Sequence, residues 1–296
     1  MNWVDKMNDV MAYIESHLSD EIDMAKVAKL SCSSAATFQR MFSFICDTPL
    51  SEYIRRRRLT LAAFELQNSN IKVIDLAVKY GYDSPDAFAR AFHTIHGVSP
   101  STARNTGITL QAYPPLSFHL TLKGVAPINY RIEPKEAFSV YGIERIINIE
   151  EGENWKSIPA FWAEVQTNGE LDKLVQSTNL RMPDEGKDLI NAVDCYRMTD
   201  DGTIPYMIFA MKTEESNTAG YKVVEVPAAT WAIFKSDLHI LDETSQVMSD
   251  LKKRLYTEWL PAADYDHLEG CEFEITYRSK DRYYSEIWVR VAPGKD

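Results

Sequence analysis

The sequence is poor in the residues from which metal sites and covalent chemistry are built. Its four cysteines are scattered and form no Cys-x-x-Cys pair, and its six histidines lack the spacing of metal ligands. It contains neither a Gly-rich phosphate-binding loop nor a Gly-x-Ser-x-Gly motif. We therefore expect free thiols in a reducing compartment, no metal or cofactor, and no enzymatic activity.

Long apolar segments are also missing. No run approaches the roughly 18 residues of a membrane-spanning helix, and residues 1–5 lack the basic start and apolar core of a signal peptide. Hydrophobic residues make up 45% and charged residues 25% of the chain, which is ordinary for a soluble globular protein. These features predict a cytoplasmic protein, and a length of 296 residues suits two domains.

Basic residues are fewer than acidic residues in only one part of the chain. The formal net charge is -11, from 32 Lys and Arg against 43 Asp and Glu, which by itself disfavours nucleic acid as a partner. Residues 1–110 hold 12 of each sign, so their net charge is 0 and the later residues carry the whole excess of acid. The balanced segment also contains four consecutive arginines, at 55–58. Charge is thus segregated along the chain, and local pattern matters more than the total.

One local pattern occurs twice in the balanced segment. A short apolar helix, a polar turn and a helix containing Phe-x-Arg-x-Phe are predicted at 27–42 and again at 76–92. Ser34 and Ser84 stand where helix N-caps are expected, and Gly97 follows the second Phe-x-Arg-x-Phe helix as a stop. One such helix is usually only amphipathic, but two copies in the same context indicate two helix-turn-helix units.

The outer faces of the two Phe-x-Arg-x-Phe helices carry side chains that suit base edges in the major groove. In each copy the helical period turns the two phenylalanines inward. Arginine pairs with guanine and glutamine with adenine, so Gln39, Arg40 and Arg90 are the strongest candidates. Serine hydroxyls at the helix starts suit phosphate. The predicted DNA-binding residues are Ala35, Ala36, Gln39, Arg40, Ser84, Asp86, Ala87 and Arg90.

The segment between the two copies supplies length and charge. A helix of about 17 residues, predicted at 51–67, is roughly 25 Å long, and with its flanking turns it could hold the reading helices about one DNA turn apart. One chain would then read two successive major grooves. Four consecutive arginines cover every face of this helix, so at least one is expected to pair with a carboxylate such as Glu52. Arg55 and Arg57 are predicted to contact phosphate.

With these motifs, residues 8–104 resemble the double helix-turn-helix domain of AraC-type transcription regulators. The resemblance rests on Ile74–Ser84, Phe88–Phe92, Gly97–Pro100, and on Pro49, Tyr53, Ile54, Arg58 and Leu59. It implies a regulator whose partners are double-stranded DNA and RNA polymerase. Asp86 and Ala87 depart from the polar or basic residues common at their positions, so the second copy is expected to read DNA weakly or selectively.

From residue 128 onward the pattern changes from helices to strands. A strand–helix–strand–strand plan occurs at 130–212 and again at 221–291, and similar residues such as Phe138 and Trp231 stand 93 positions apart. This internal repeat predicts an α+β domain with a pseudo-twofold axis, in which two helices pack on an antiparallel sheet. The full prediction is an all-α double helix-turn-helix domain at 1–107, a linker at 108–127 and the α+β domain at 128–296.

The last predicted strand places a carboxylate between aromatic rings. Alternation puts Tyr284, Glu286 and Trp288 on one face and apolar residues on the other. Rings supply area and cation–π attraction and the carboxylate supplies charge, so this face suits a small lipophilic, aromatic or cationic effector. The repeat predicts that Tyr206 occupies a position related to Glu286, and Trp231 is the fifth candidate for ligand binding.

This half of the chain resembles the GyrI-like effector-binding domain, which also occurs in multidrug-sensing regulators. The resemblance rests on Thr230–Phe234, on Ser285–Val291 and on the repeated plan, and it implies that Glu286 is the acidic group of the ligand cavity. Other interpretations stay open: a solvated edge position for Glu286, core packing for Trp231 and Trp288, hydrolysis with Glu286 as general base, and a domain that only docks a protein partner. The expected function is that of a ligand-responsive, DNA-binding transcription regulator.

Overall fold

The computed structural model describes residues 3–105, 107–119, 127–181, 183–197, 199 and 202–294. Backbone contacts divide the chain into two compact units. The first unit consists of residues 1–32 and 48–119, and the second consists of residues 33–47 and 120–296. The second unit thus includes one short segment, 33–47, from the region predicted to bind DNA.

The first unit is helical, as predicted. Its helices are α1 (Trp3–Ser16), α2 (Met24–Ser31), α4 (Leu50–Asn68), α5 (Val73–Lys79), α6 (Pro85–His96) and α7 (Pro100–Ala103), whereas α3 (Ala35–Cys46) belongs to the second unit. The predicted caps are confirmed: the side chain of Ser84 accepts from the Ala87 amide at the start of α6. Gly97 ends α6 with φ 72°, a left-handed conformation that favours glycine. Among the described residues, no helix combines the length and the apolar character needed to cross a membrane.

The core of the first unit lies between α4, α5 and α6. Leu59, Leu66, Leu76, Phe88 and Phe92 meet there, and each is at most 2% exposed. These residues recur at helical spacing in the sequence, so burial of one face of each helix accounts for the fold of this unit.

The first half of the predicted linker is packed on this unit. The amides of Tyr113, Leu116 and Phe118 donate to side chains of the helical unit at 3.1, 3.0 and 2.8 Å. The prediction of a linker beginning at 108 therefore differs from the structure, in which residues 107–119 belong to the first unit. Residues 120–126 of the predicted linker lie outside the described residues.

The second unit is built on an antiparallel sheet. Its strands are β1 (Asn129–Lys135), β2 (Phe138–Asn148), β3 (Gly186–Lys187), β4 (Ile190–Asp194), β5 (Thr203–Met211), β6 (Lys222–Val226), β7 (Ala229–Lys235), β8 (Tyr265–Ser279) and β9 (Arg282–Pro293). The order across the sheet is β1-β7-β9-β8-β4-β5-β2-β6, and β3 pairs with β8. Its helices are α3, α8 (Asn154–Thr167), α9 (Glu170–Ser177) and α10 (Thr244–Arg254), the last continuing into a π-helical turn.

The strand order confirms the predicted internal repeat. If β1, β2, β4 and β5 are exchanged for β6, β7, β8 and β9, the order reads the same from the other end of the sheet. The helical part differs in detail from the prediction of one helix per repeat. In the first repeat the helix is interrupted at Gly169, whose φ of 79° separates α8 from α9.

The two faces of the sheet bury different sets of residues. One face, here called the helix face, packs Tyr141, Tyr206 and Ile208 with Phe161 of α8. The other is here called the Trp288 face, and its buried members include Phe209, Trp231, Phe273 and Trp288. Side-chain alternation along each strand produces this division, so neighbouring residues in β5, β8 and β9 serve opposite faces.

Candidate DNA-reading helices and effector face

Helix α6 presents the outer face that the sequence predicted. Its two phenylalanines are fully buried, whereas Asp86 and Arg90 are exposed, and Ser84 and Ala87 are half-buried. His93, which the sequence analysis did not select, is also exposed and lines the same shallow groove as Arg90. Its position three residues after Arg90 could have indicated it. Contact of these residues with DNA stays a prediction.

Helix α3 differs from α6 in this respect. None of its side chains from 35 to 46 is exposed in the structure. Arg40 is 3% exposed, Ala35 and Ser43 are buried, and Ala36 and Gln39 are half-buried. The prediction that these side chains lie on an open outer face is therefore wrong for this conformation of the chain.

The amino acids of α3 explain its burial. Besides the residues predicted to face inward, the helix carries Met41 and Phe44, so its apolar surface is wider than one face, and a helix with such a surface is normally buried. In the second unit the Phe44 ring lies 5.7 Å from the ring of Trp155, between centroids, and Ala36 packs with the core of the helix face. The second unit thus covers the face of α3 that the sequence predicted to bind DNA.

The Arg40 guanidinium lies among buried charged side chains on the helix face. Its Nη1 atom is 2.5 Å from Asp194 Oδ1, and its Nη2 atom pairs with Glu272. Tyr256 donates its hydroxyl to Glu272 at 2.6 Å, and Lys252 Nζ lies 3.5 Å from Asp194. Burial raises the pKa of Asp194. Burial acts in the same direction at Glu272, but Arg40, His267 and Lys252 together outweigh it and lower the pKa of Glu272. The five residues Arg40, Asp194, Lys252, Tyr256 and Glu272 are called the Arg40 cluster.

The run of four arginines on α4 divides into paired and buried side chains. Arg55 and Arg56 both pair with Glu52, which confirms the expected internal partner, and they remain partly exposed. Arg57 is 5% exposed and donates to Glu15 at 2.7 Å. The prediction that Arg57 contacts phosphate is therefore wrong for this structure, because its guanidinium is buried in an ion pair. The phosphate contact of Arg55 stays a prediction.

Glu286 lies on the Trp288 face, as alternation predicted, but its charge is already paired. The carboxylate is 3% exposed and accepts from Arg131 at 2.7 and 3.1 Å. It also accepts from Tyr277 at 3.0 Å and from Trp288 Nε1 at 2.9 Å. Burial favours the neutral acid, but Arg131 and the other donors lower the pKa of Glu286 below its ordinary value. The carboxylate is thus paired within the protein in this structure, and its role as the acidic group of a ligand cavity stays a prediction.

Tyr206 lies on the opposite face of the sheet from Glu286. Phe209 pairs in register with Gly142 in the first repeat, and Glu286 pairs with Lys235 in the second. Gly142 and Lys235 are equivalent positions of the repeat, so Phe209 is the residue related to Glu286. Tyr206 is 2% exposed and its hydroxyl accepts a hydrogen bond from α8 at 2.9 Å. The prediction that Tyr206 lies in a position related to Glu286 is wrong, because Tyr206 is three positions from Phe209 and alternation turns its side chain to the helix face.

Three more of the predicted ligand-binding residues, two tryptophans and a tyrosine, lie on the Trp288 face, and their contact with a ligand stays a prediction. Trp231 is 0% and Trp288 5% exposed, and their ring centroids are 6.3 Å apart, while Tyr284 is half-buried. Lysine side chains cover these rings: Lys135 lies 4.4 Å from the Trp288 centroid and Lys235 lies 3.9 Å from that of Tyr284. The alternation of β9 does not reveal these lysines, since they come from strands β1 and β7.

Comparison with known proteins gives separate matches for the two halves. The family described as integron-associated effector binding protein matches residues 131–291, which is more than half of the chain. A helix-turn-helix domain family matches residues 27–106. A solved structure of a putative transcription regulation protein from Staphylococcus aureus MU50 covers 56% of this chain and 99% of its own, with 17% identity and a TM-score of 0.43.

Two curated relatives match the helix-turn-helix half. The HTH-type transcriptional activator AarP of Providencia stuartii is 41% identical over 98 residues, which are 33% of this chain and 73% of AarP. The regulatory protein SoxS of Escherichia coli strain K12 is 36% identical over 99 residues, which are 33% of this chain and 92% of SoxS. The chain therefore belongs to the integron-associated effector-binding protein family through its C-terminal half, and it is a DNA-binding transcription regulator of the AraC type.

Proposed function

We propose that this regulator responds to a ligand because its effector-binding domain holds its first reading helix. The observation that carries the proposal is the position of α3 in the second unit, with Arg40 paired to Asp194 and Glu272. A guanidinium that is ion-paired and 3% exposed has no route to a base edge. DNA binding through α3 therefore requires the helix to leave the second unit, and an effector that favours one arrangement of that unit changes the free energy of this step.

In the DNA-bound form, α3 and α6 read two successive major grooves. Helix α4 connects them with 19 residues, and at 1.5 Å per residue it is about 28 Å long. With its flanking turns this length is comparable to one DNA turn of roughly 34 Å. Arg40 and Arg90 hold the same place in the two copies, with Gln39 beside the first and Asp86 beside the second. The two half-sites are therefore expected to differ in sequence.

Neighbouring residues of the same strands link the Arg40 cluster to the Trp288 face. In β8, Glu272 points to α3, and the next residue, Phe273, lies with its ring centroid 6.0 Å from that of Trp288. In β4, Asp194 and Val193 have the same relation to the two faces. An effector that moves the rings of the Trp288 face therefore moves the strands that carry the carboxylates of the Arg40 cluster.

The residues of the Trp288 face favour a small aromatic or lipophilic effector. The rings of Trp231, Phe273 and Trp288 lie within 5.5–6.3 Å of one another and form an apolar layer, against which an effector can stack once the lysines over Trp288 move aside. Hydrolysis is less well supported, because the lowered pKa and four hydrogen bonds of Glu286 leave it a weak general base. RNA polymerase stays a predicted partner.

Hydroxyl-radical footprinting of the full chain on a selected DNA site tests the two reading helices. We expect two protected stretches about one helical turn, or roughly 10 base pairs, apart. Arg40→Ala should abolish base selectivity in one half-site and Arg90→Ala in the other. A single protected stretch, or loss of the same half-site in both variants, would contradict the proposal.

Arg90→Ala is expected to weaken specific DNA binding by about 1–3 kcal/mol, since one bidentate contact with guanine contributes that much. Asp86→Ala is a matched control on the same exposed face of α6. It removes a carboxylate that repels phosphate, so the affinity should rise slightly rather than fall. Gel-shift titrations at one salt concentration measure both effects. Equal affinities of the native chain, Arg90→Ala and Asp86→Ala would mean that α6 does not enter the major groove.

A further inference from the structure

We propose that the Trp288 face binds an anionic effector, in which a carboxylate or sulfonate is attached to an aromatic or lipophilic body. This inference rests on the proposed function of the domain and specifies the ligand of the same site. It reverses the charge expected from Glu286 alone. Three observations carry it: the balance of charge on the face, a lysine with no ion pair among the described residues, and buried donors that lack acceptors there.

Cations outnumber carboxylates around the exposed side of the face. Arg131, Lys135, Lys187 and Lys235 contact Glu286 or the rings of Trp288 and Tyr284. The carboxylates among them are Glu286, which Arg131 neutralises, and Glu133, which pairs with Arg131 and Lys135. Four positive and two negative groups leave an excess of two positive charges. A cationic ligand would meet this excess, whereas an anion would reduce it.

The strand register places these cations on one face. Arg131 pairs in register with Ile233 of β7, and Ile233 pairs in turn with Trp288 of β9. Lys187 pairs with Tyr277 of β8, whose hydroxyl donates to Glu286. Because alternation preserves sidedness across paired strands, all of these side chains leave the sheet on the Trp288 side.

The ammonium group of Lys187 lies in an environment that an anion would stabilise. Its ammonium lies 5.1 Å from the Trp288 ring centroid, and it forms no ion pair with any residue that the structure describes. Burial and the neighbouring charge of Lys135 lower the pKa of Lys187 to about 8. A half-buried ammonium beside another ammonium is destabilised until an anion joins it.

Two buried nitrogen atoms on the face also lack acceptors. Trp231 Nε1 and Arg290 Nε have no hydrogen-bond partner within the described ranges, and Trp231 is 0% exposed. The two residues are partners in register on β7 and β9. Both groups are donors only, so the ligand atoms that satisfy them must be acceptors. Carboxylate and sulfonate oxygens accept hydrogen bonds and donate none.

These observations define how the ligand fits. Lys135 and Lys187 now cover the ring of Trp288, where the ring of an effector would stack. Lysine side chains are flexible, so the effector body can replace them over Trp288 while their ammonium groups turn to its anionic group. A cation in the same place would have to displace the bidentate pair of Arg131 and Glu286.

Calorimetric titration of the full chain with three probes that share a naphthalene ring and differ in charge tests the sign of the ligand's charge. The probes are 2-naphthoate, 2-naphthamide and (2-naphthylmethyl)trimethylammonium. We expect naphthoate to bind at least about tenfold more tightly than the ammonium probe. Tighter binding of the ammonium probe would overturn the inference while leaving the proposed effector-binding function intact. Failure of all three to bind would also overturn it, and the footprint would still test the regulator independently.

Variants of the lysines and of Glu286 distinguish a specific site from general attraction. Lys187→Met and Lys135→Met should each weaken naphthoate several-fold without weakening naphthamide, while Lys173→Met, which removes an exposed lysine of α9, should change neither. Glu286→Gln should tighten naphthoate, because it removes one of the two carboxylates that pair with Arg131. If Lys173→Met matched the other lysine variants, the specific site would be rejected.

The pH dependence gives a separate readout. With a pKa of about 8, Lys187 is mostly charged at pH 7 and mostly neutral at pH 9. Naphthoate affinity should therefore fall between these pH values in the native chain, and the fall should be smaller in Lys187→Met. An affinity that is independent of pH in both proteins would contradict the role of Lys187.

Discussion

The double variant Asp194→Asn/Glu272→Gln should bind its specific DNA site at least about tenfold more tightly than the native chain. In the free protein these two carboxylates hold the Arg40 guanidinium, in the case of Asp194 at 2.5 Å. Without them the guanidinium would be buried with no counter-ion, a break that typically costs about 3–5 kcal/mol. Only the form with α3 in the second unit bears this cost. A tenfold change in affinity corresponds to about 1.4 kcal/mol, which is less than half of this cost.

Fluorescence anisotropy with a labelled duplex at fixed salt measures this effect. Glu164→Gln is the matched control, since it removes a carboxylate from an exposed ion pair of the second unit, in which the partner is Arg145 and not Arg40. Its DNA affinity should equal that of the native chain. Thermal unfolding of each variant establishes that it folds. Equal affinities of the folded double variant and the native chain would mean that the Arg40 cluster does not restrain α3.

The different positions of Arg40 and Arg90 mark the limit of what the sequence could predict here. Both arginines follow an N-capping serine and stand between two buried phenylalanines, and these local features formed as predicted. The partners of Arg40 are far along the chain: Cys195, which lies 3.4 Å from its guanidinium, is 155 positions away. No local period encodes such a partner. The local signal was the additional apolar residues of α3, Met41 and Phe44 among them.

Only part of the Trp288 face could be predicted, because its residues come from strands that are far apart in the sequence. Alternation along one strand correctly grouped Tyr284, Glu286 and Trp288 on one side. It does not tell which strand lies alongside, and Arg131 comes from β1, which reaches this region only through its pairing with β7. The same limit caused the error at Tyr206, where the repeat was recognised but its register was not. The charge of the face is thus a property of the sheet order rather than of one strand.

Arg57→Met should destabilise the first unit by about 3 kcal/mol, whereas Arg55→Met should leave its stability nearly unchanged. Arg57 is 5% exposed, and its guanidinium donates to Glu15 and to the carbonyl of Tyr113. Tyr53 donates to the same Glu15 carboxylate at 2.6 Å. Removing Arg57 therefore leaves a partly buried carboxylate without its cation and loosens segment 107–119. Arg55 is partly exposed, and Glu52 is its one ion-pair partner among the residues that the structure describes.

The two variants should separate stability from DNA binding. Chemical denaturation measures the stability of each, and DNA affinity over a range of salt concentrations measures phosphate contacts. Loss of one phosphate contact reduces the slope of log affinity against log salt concentration by about 0.9, so Arg55→Met should show this reduction and Arg57→Met should not.

The dependence of stability on acid pH provides a further check of the ion pair between Arg57 and Glu15. Burial opposes ionisation of Glu15, but Arg57 and Tyr53 lower its pKa on folding. Its contribution is therefore present above its ordinary pKa of about 4.3 and is lost as the pH falls through the lowered value. The stability difference between Arg57→Met and the native chain should narrow over that interval, because protonated Glu15 no longer pairs with Arg57.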